Sequence, residues 1–178
     1  MKKQGLYDPF YEHDSCGVGF VVNINGQPSH QIVTDGITIL KNLAHRGALG
    51  GDSKTGDGAG MLMQIPHAFF VKECSRSGIT LAQEGFYGVG MLYLPQDRAK
   101  RSSSIKLIEE TISEEGGSVL GWRDVPVSPE CLGDMAVSSM PFISQIFVSF
   151  GSLCGPALER KLYITRKCME KKAQLNQL

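Results

Sequence analysis

Apolar residues recur in this chain with two periods, and the periods divide it into elements. Residues 17–23, Gly-Val-Gly-Phe-Val-Val-Asn, are rich in valine and phenylalanine and predict a strand. Asn25-Gly26 is a tight-turn signal, although the residues after it do not alternate like a second strand. From Gln31 to Ala44 the residues Ile32, Val33, Gly36, Ile37, Leu40, Leu43 and Ala44 share one face, which predicts an amphipathic helix. His45-Arg46-Gly47 then ends it, with basic residues near the carbonyl end and a glycine just beyond. Glycines at 47, 50, 51, 56, 58 and 60 make residues 47–60 a loop. Met61 to Ile65 reads as a short strand stopped by Pro66, and His67 to Cys74 as one or two helical turns.

The later chain alternates strand and helix patterns. Gly85 to Leu94 predicts a strand with Val89, Met91 and Tyr93 on one face. Gln96 to Glu115 predicts a helix through Ile105, Ile108 and Ile112, closed by Gly116-Gly117. Val119 to Val125, which carries the lone tryptophan Trp122, predicts a strand; Pro126 to Gly133 predicts a loop. Ile143 to Phe150 is strand-like, and Leu158 to Leu175 is helical in its later part. Residues 1–15 show neither period and read as an appended leader. Lys171 to Leu178 is polar and reads as a chain cut in mid-element.

Composition narrows the function classes. A length of 178 residues suits one domain with a real core. Lys+Arg and Asp+Glu are both 18, so no net field favours nucleic acid or an anionic membrane. The apolar runs are too short for a membrane span, and residues 1–15 lack the apolar run of a secretory signal. The five cysteines, Cys16, Cys74, Cys131, Cys154 and Cys168, contain no Cys-x-x-Cys pair. That spacing argues against a disulfide framework, a structural zinc or an iron–sulfur site, and for reduced thiols in the cytoplasm. No cofactor is expected on this segment.

Two runs could carry chemistry. The first is Cys16-Gly17-Val18-Gly19-Phe20. A cut between Ser15 and Cys16 would place a thiol and a free α-amine on one residue, a nucleophile beside a candidate base. The α-amine has a pKa of about 8 against about 8.5 for a free thiol, so it can take the thiol proton. The thiol alone equally suits a small buried hydrophobe ahead of a strand. The second run is His45-Arg46-Gly47-Ala48 followed by Thr55-Gly56-Asp57-Gly58-Ala59-Gly60. Lys54-Thr55 precedes Gly56, so the phosphate-loop order is absent, and no Gly-x-Gly-x-x-Gly opens a helix. The run suits a shaped loop holding Arg46 and Asp57 near a polar ligand or a nucleophile. A helix-capping Arg46 and a turn-bonded Asp57 are the alternative.

Together, and with Gln64-Ile65-Pro66-His67-x-Phe69-Phe70, these runs closely resemble the start of the glutamine amidotransferase domain of glutamate synthase. Gly121-Trp122-Arg123-Asp124-Val125-Pro126-Val127, Met140-Pro141 and Glu159-Arg160-Lys161-Leu162-Tyr163 extend the resemblance from about residue 5 to about residue 170. It implies an α+β fold of the N-terminal-nucleophile hydrolase type: a four-layer αββα sandwich with antiparallel sheets, incomplete in this chain. Residues 1–15 would be a propeptide and 16–178 the first part of the domain. The implied activity is hydrolysis of L-glutamine to glutamate and ammonia, used on 2-oxoglutarate for glutamate synthesis. Cys16 matches the family nucleophile, Arg46 the Arg-Gly beside it, and Asp57 with Gly60 the Asp-x-x-Gly of the same loop. FMN and an iron–sulfur cluster would belong to a synthase region outside this segment. The implied partners are that remaining chain and a small electron-donating subunit.

The family's later site motifs are an Arg-Phe-Ser-Thr that grips the substrate carboxylate, an Asn-Gly that supplies the oxyanion hole and an Asp that holds the substrate amine. None is present here; the asparagines are Asn23, Asn25, Asn42 and Asn176, and only Asn25 precedes a glycine, in its turn. Losing one oxyanion donor costs about a hundred- to a thousandfold in rate, so the chain by itself is expected to be nearly inactive. A non-catalytic remnant or partner-binding fragment of a split gene is the alternative. A purine- or glucosamine-type amidotransferase fits less well, because the Arg-to-Asp interval here is longer.

Overall fold

The computed structural model describes residues 17–44, 54–56 and 58–175, in two compact units. One comprises the described residues up to Met63 together with Ser128–Ser139; the other comprises Gln64–Val127 and the described part of Met140–Leu178.

The first unit is built around helix α1, His30–Asn42. Its stripe at Ile32, Val33, Gly36, Ile39, Leu40 and Leu43 is half-buried, and no residue of the helix is fully buried. The expected stripe needs two corrections. Ile37 and Ala44 are exposed, and Ile39 takes the inward place. The expected turn at Asn25-Gly26 forms: the Asn23 side chain accepts from the Asn25 N–H at 2.9 Å and the Asn23 carbonyl from the Gly26 N–H at 3.0 Å. The strands expected at 17–23 and 61–65 do not form; both stretches are irregular chain. Strand propensity measures fit to a pleated, half-buried surface. Val18, Phe20, Val22 and Leu62 are exposed instead. The segment 128–139 carries a 3₁₀ turn at Pro129–Cys131 inside the expected loop, and a short helix α4, Asp134–Ser139. Six residues are too few to show a helical period, so α4 left no trace in the sequence pattern.

The second unit follows the sequence pattern closely. Helix α2, His67–Arg76, is followed by β1, Tyr87–Leu94; α3, Arg98–Glu114; β2, Ser118–Asp124; β3, Phe142–Ser149; and α5, Gly155–Leu175. The strands form one antiparallel sheet in the order β1-β3-β2. Tyr87 pairs with Ser149 and Leu94 with Phe142, while Ser118 pairs with Ser149 and Asp124 with Ser144. A bulge sets Leu120 aside between Val119, opposite Val148, and Gly121, opposite Phe147. The extra residue brings Val119 and Trp122 to the same sheet face, against one core, and Leu120 to the other. Asp97 caps α3 by accepting from the Lys100 N–H at 2.8 Å. The helix ends at Gly116, whose φ of +78° suits glycine, with Gly117 N–H donating to the Ile112 carbonyl at 2.8 Å.

Each face of the sheet has its own core. Ile146 and Val148 of β3 pack with Leu94, with Ile108 and Ile112 of α3 and with Leu158 of α5. Phe147, on the opposite face, packs with Tyr87 and with Phe70 and Cys74 of α2. The unit is therefore an α+β layer structure with one three-stranded antiparallel sheet covered by helices. One such sheet is consistent with an incomplete sandwich; a second sheet facing it is not seen among the described residues.

Candidate functional site

Of the sequence-nominated site residues, Cys16, Arg46 and Asp57 lie outside the described residues, and Gly60 lies within them. Gly60 is exposed, and a Cβ there would meet nothing within 4 Å. The flanks of the site are described, and they converge on one face of α1. A Cβ on Gly17 would stand 3.0 Å from Leu43 Cδ2, and a Cβ on Gly19 would run into Ile39 Cγ2. A Cβ on Gly36 would stand 2.6 Å from Met61 Sδ. Gly36, Ile39 and Leu43 are spaced i, i+3, i+7 and share a helix face. That face receives the chain that follows Cys16 and, at Met61, the chain that follows Gly58-Ala59-Gly60. Gly17 and Gly19 thus lie against α1 at distances where a Cβ would crowd Leu43 and Ile39. The period of α1 was legible in the sequence. Its role as a bench for two separate loops was not, because those contacts join segments far apart in the sequence.

The described cysteines have distinct environments. Cys74 is fully buried in the core beneath α2, and burial pushes its thiol above the ordinary value. A thiol so placed is a poor nucleophile. Cys131 and Cys154 are exposed. Cys168 of α5 donates to Glu115 Oε1 at 3.6 Å, where Lys161 Nζ also lies 2.8 Å from Glu115 Oε2. The hydrogen bond from Lys161 holds the Glu115 carboxyl below its ordinary value. This cluster ties α5 to the end of α3.

A second polar group sits on the α2 side of the sheet. His67 Nδ1 is 3.0 Å from the Tyr87 hydroxyl, whose pKa burial raises. Arg123 donates to Gln145 Oε1 at 2.8 Å and lies 3.9 Å from Glu73. Every buried side-chain polar atom among the described residues has a partner, so these groups read as satisfied structure. No three His, Cys, Asp or Glu side chains among the described residues could hold a metal ion. The described residues do not fit an iron–sulfur cluster. No helix among them is long and apolar enough to cross a membrane.

The family model for class-II glutamine amidotransferases matches residues 16–178. The chain belongs to this family. The chain is 46% identical over 171 residues to the glutamate synthase (NADPH) large chain of Bacillus subtilis, covering 95% of this chain and 11% of that one. It is 40% identical over 173 residues to the glutamate synthase (NADH) of Schizosaccharomyces pombe, covering 93% of this chain and 8% of the relative. It is 38% identical over 167 residues to the ferredoxin-dependent glutamate synthase 1 of Arabidopsis thaliana, at 93% and 10%. The chain therefore spans about a tenth of the length of these relatives.

Proposed function

We propose that this amidotransferase segment performs the glutamine-hydrolysing step of a glutamate synthase, with Cys16 as an N-terminal nucleophile once residues 1–15 are removed. The observation that carries the reading is the boundary of the family match, whose first residue is Cys16. The packing of Gly17 and Gly19 on the face of α1 that also takes Met61 supports it. The names of the relatives span NADPH, NADH and ferredoxin as donors while this segment is shared. That pattern suits a step common to all of them and independent of the donor.

In the proposed reaction the neutral α-amine of Cys16 takes the thiol proton, and Sγ attacks the amide carbon of L-glutamine. The tetrahedral adduct collapses as the amide nitrogen takes a proton and leaves as ammonia. The γ-glutamyl thioester that remains is hydrolysed by water, giving glutamate and restoring the thiol. Arg46 and the Asp57–Gly60 loop would support the nucleophile side of this site. The carboxylate clamp and oxyanion donors would come from the longer chain. The three-stranded sheet would be part of one layer of an αββα sandwich, and FMN and an iron–sulfur cluster would reside in a synthase region. Ammonia would pass to that region, with a small electron-donating subunit as a further partner.

The test is glutamine hydrolysis by the chain alone and by the chain fused to the stretch that follows the aligned region in the Bacillus subtilis relative. The fusion is expected to release glutamate and ammonia, and the chain alone to fall at least about a hundredfold below it. A fusion in which Cys16→Ser retains full activity would refute the assignment of the nucleophile.

A further inference from the structure

The two edges of the sheet in the second unit are built differently. The outer edge of β2 is interrupted by the bulge at Leu120 and ends in the charged pair Arg123 and Asp124. Bulges and charges are the usual means of keeping an edge from pairing. β1 has neither. It pairs with β3 in unbroken register over all eight residues, and its sequence, Tyr-Gly-Val-Gly-Met-Leu-Tyr-Leu, contains no charge and no proline. Among the described residues β3 is its one sheet neighbour. The strand also leaves apolar side chains open on the face away from α3 and α5: Met91 is 49% exposed and Tyr93 68% exposed, while Leu94 on the other face is 5% exposed. A long, uncharged, apolar strand with a free row of N–H and C=O groups is a template for another strand.

We propose that the free edge of β1 is a docking site for one further β-strand, supplied by the polypeptide that follows the aligned region in the longer glutamate synthases. The relatives carry roughly nine-tenths of their length outside the region they share with this chain. A strand on the same polypeptide reaches the edge at a high effective concentration, which a separate molecule lacks. The incoming strand hydrogen-bonds to the alternate β1 residues whose N–H groups point away from β3, and its side chains cover Met91 and Tyr93. The inference goes beyond the proposed chemistry and does not depend on Cys16, so its readout is amide exchange and not activity.

The experiment compares hydrogen exchange in the chain alone with exchange in the fusion to the following stretch of the Bacillus subtilis large chain. In the fusion, alternate amides within Tyr87–Leu94 are expected to slow by at least about tenfold, while the outward amides of β2 stay unchanged. The double variant Met91→Lys, Tyr93→Lys places charge at exposed positions and should abolish that gain while leaving β3 protection intact. The proposal is overturned if β1 gains nothing in the fusion, or if the lysine variant gains as much as the parent. It is equally overturned if the chain alone shows the protection in step with a concentration-dependent dimer, because the occupant is then a second copy. Should the fusion not fold, the same comparison between the Bacillus subtilis large chain and its aligned 171-residue segment decides the matter at the corresponding strand.

Discussion

Gly19→Ala tests whether α1 holds the chain that follows Cys16. The new methyl group would fall inside van der Waals distance of Ile39 Cγ2. Overpacking of this kind costs about 1–3 kcal/mol. Gly19 is not among the glycines with positive φ, so alanine fits its backbone and recovers about 0.4–1 kcal/mol by narrowing the unfolded ensemble. Ile39 is only half-buried and can give way in part. The net expectation is a loss of about 0.5–2 kcal/mol, confined to the first unit. Amide exchange across His30–Asn42 should quicken by roughly two- to thirtyfold, since 1.4 kcal/mol is tenfold in an opening equilibrium. Ile39→Ala removes the opposing methyl, so Gly19→Ala should cost little in that background, a coupling of about 0.5–1.5 kcal/mol. Gly58→Ala is the control, because a Cβ there meets nothing within 4 Å. The packing argument fails if Gly19→Ala leaves α1 exchange unchanged, or if its cost is the same with and without the Ile39 side chain.

Other predictions concern the second unit. Phe147 is fully buried between β1, β2 and α2, and Phe147→Ala should lower stability in urea denaturation by about 3–5 kcal/mol. The Glu115 carboxyl is held below its ordinary value by Lys161. Its folded pKa is depressed, so its stabilising contribution is present at neutral pH and is lost as pH falls through that depressed value. Glu115→Gln should therefore shrink the stability difference between pH 7 and the acid limb, read as Tm across a pH series. Cys74 should react with a soluble thiol reagent far more slowly than Cys131 and Cys154, and catch up only in denaturant, when adducts are mapped by mass spectrometry.

How much was legible in the sequence varied with how local the cause was. α3 showed both its period and its glycine stop, and β1 and β3 showed runs long enough to name. Those signals survive because helix caps and strand alternation are local. The opposite happened at 17–23 and 61–65, where strand-forming residues occur without a ladder, and a strand needs its neighbour. The bulge at Leu120 was invisible because it depends on the register of β2 against β3. At the site, the motif spacing nominated Cys16, Arg46, Asp57 and Gly60, of which the described residues include Gly60 alone. What the fold added is the reason for the glycines around Cys16. Gly17 and Gly19 lie against Leu43 and Ile39, contacts between separate segments of the sequence that periodicity within either one could not show.

The most direct test of the account is the fate of Cys16 in the fusion with the following stretch of the Bacillus subtilis large chain. The fusion is treated with a glutamine-like alkylating analogue, and its N-terminus and adducts are read by mass spectrometry. The expected product is a chain that begins at Cys16 and carries one adduct, on Cys16. A chain that keeps Met1–Ser15 while hydrolysing glutamine, or an adduct on any other cysteine, would contradict it.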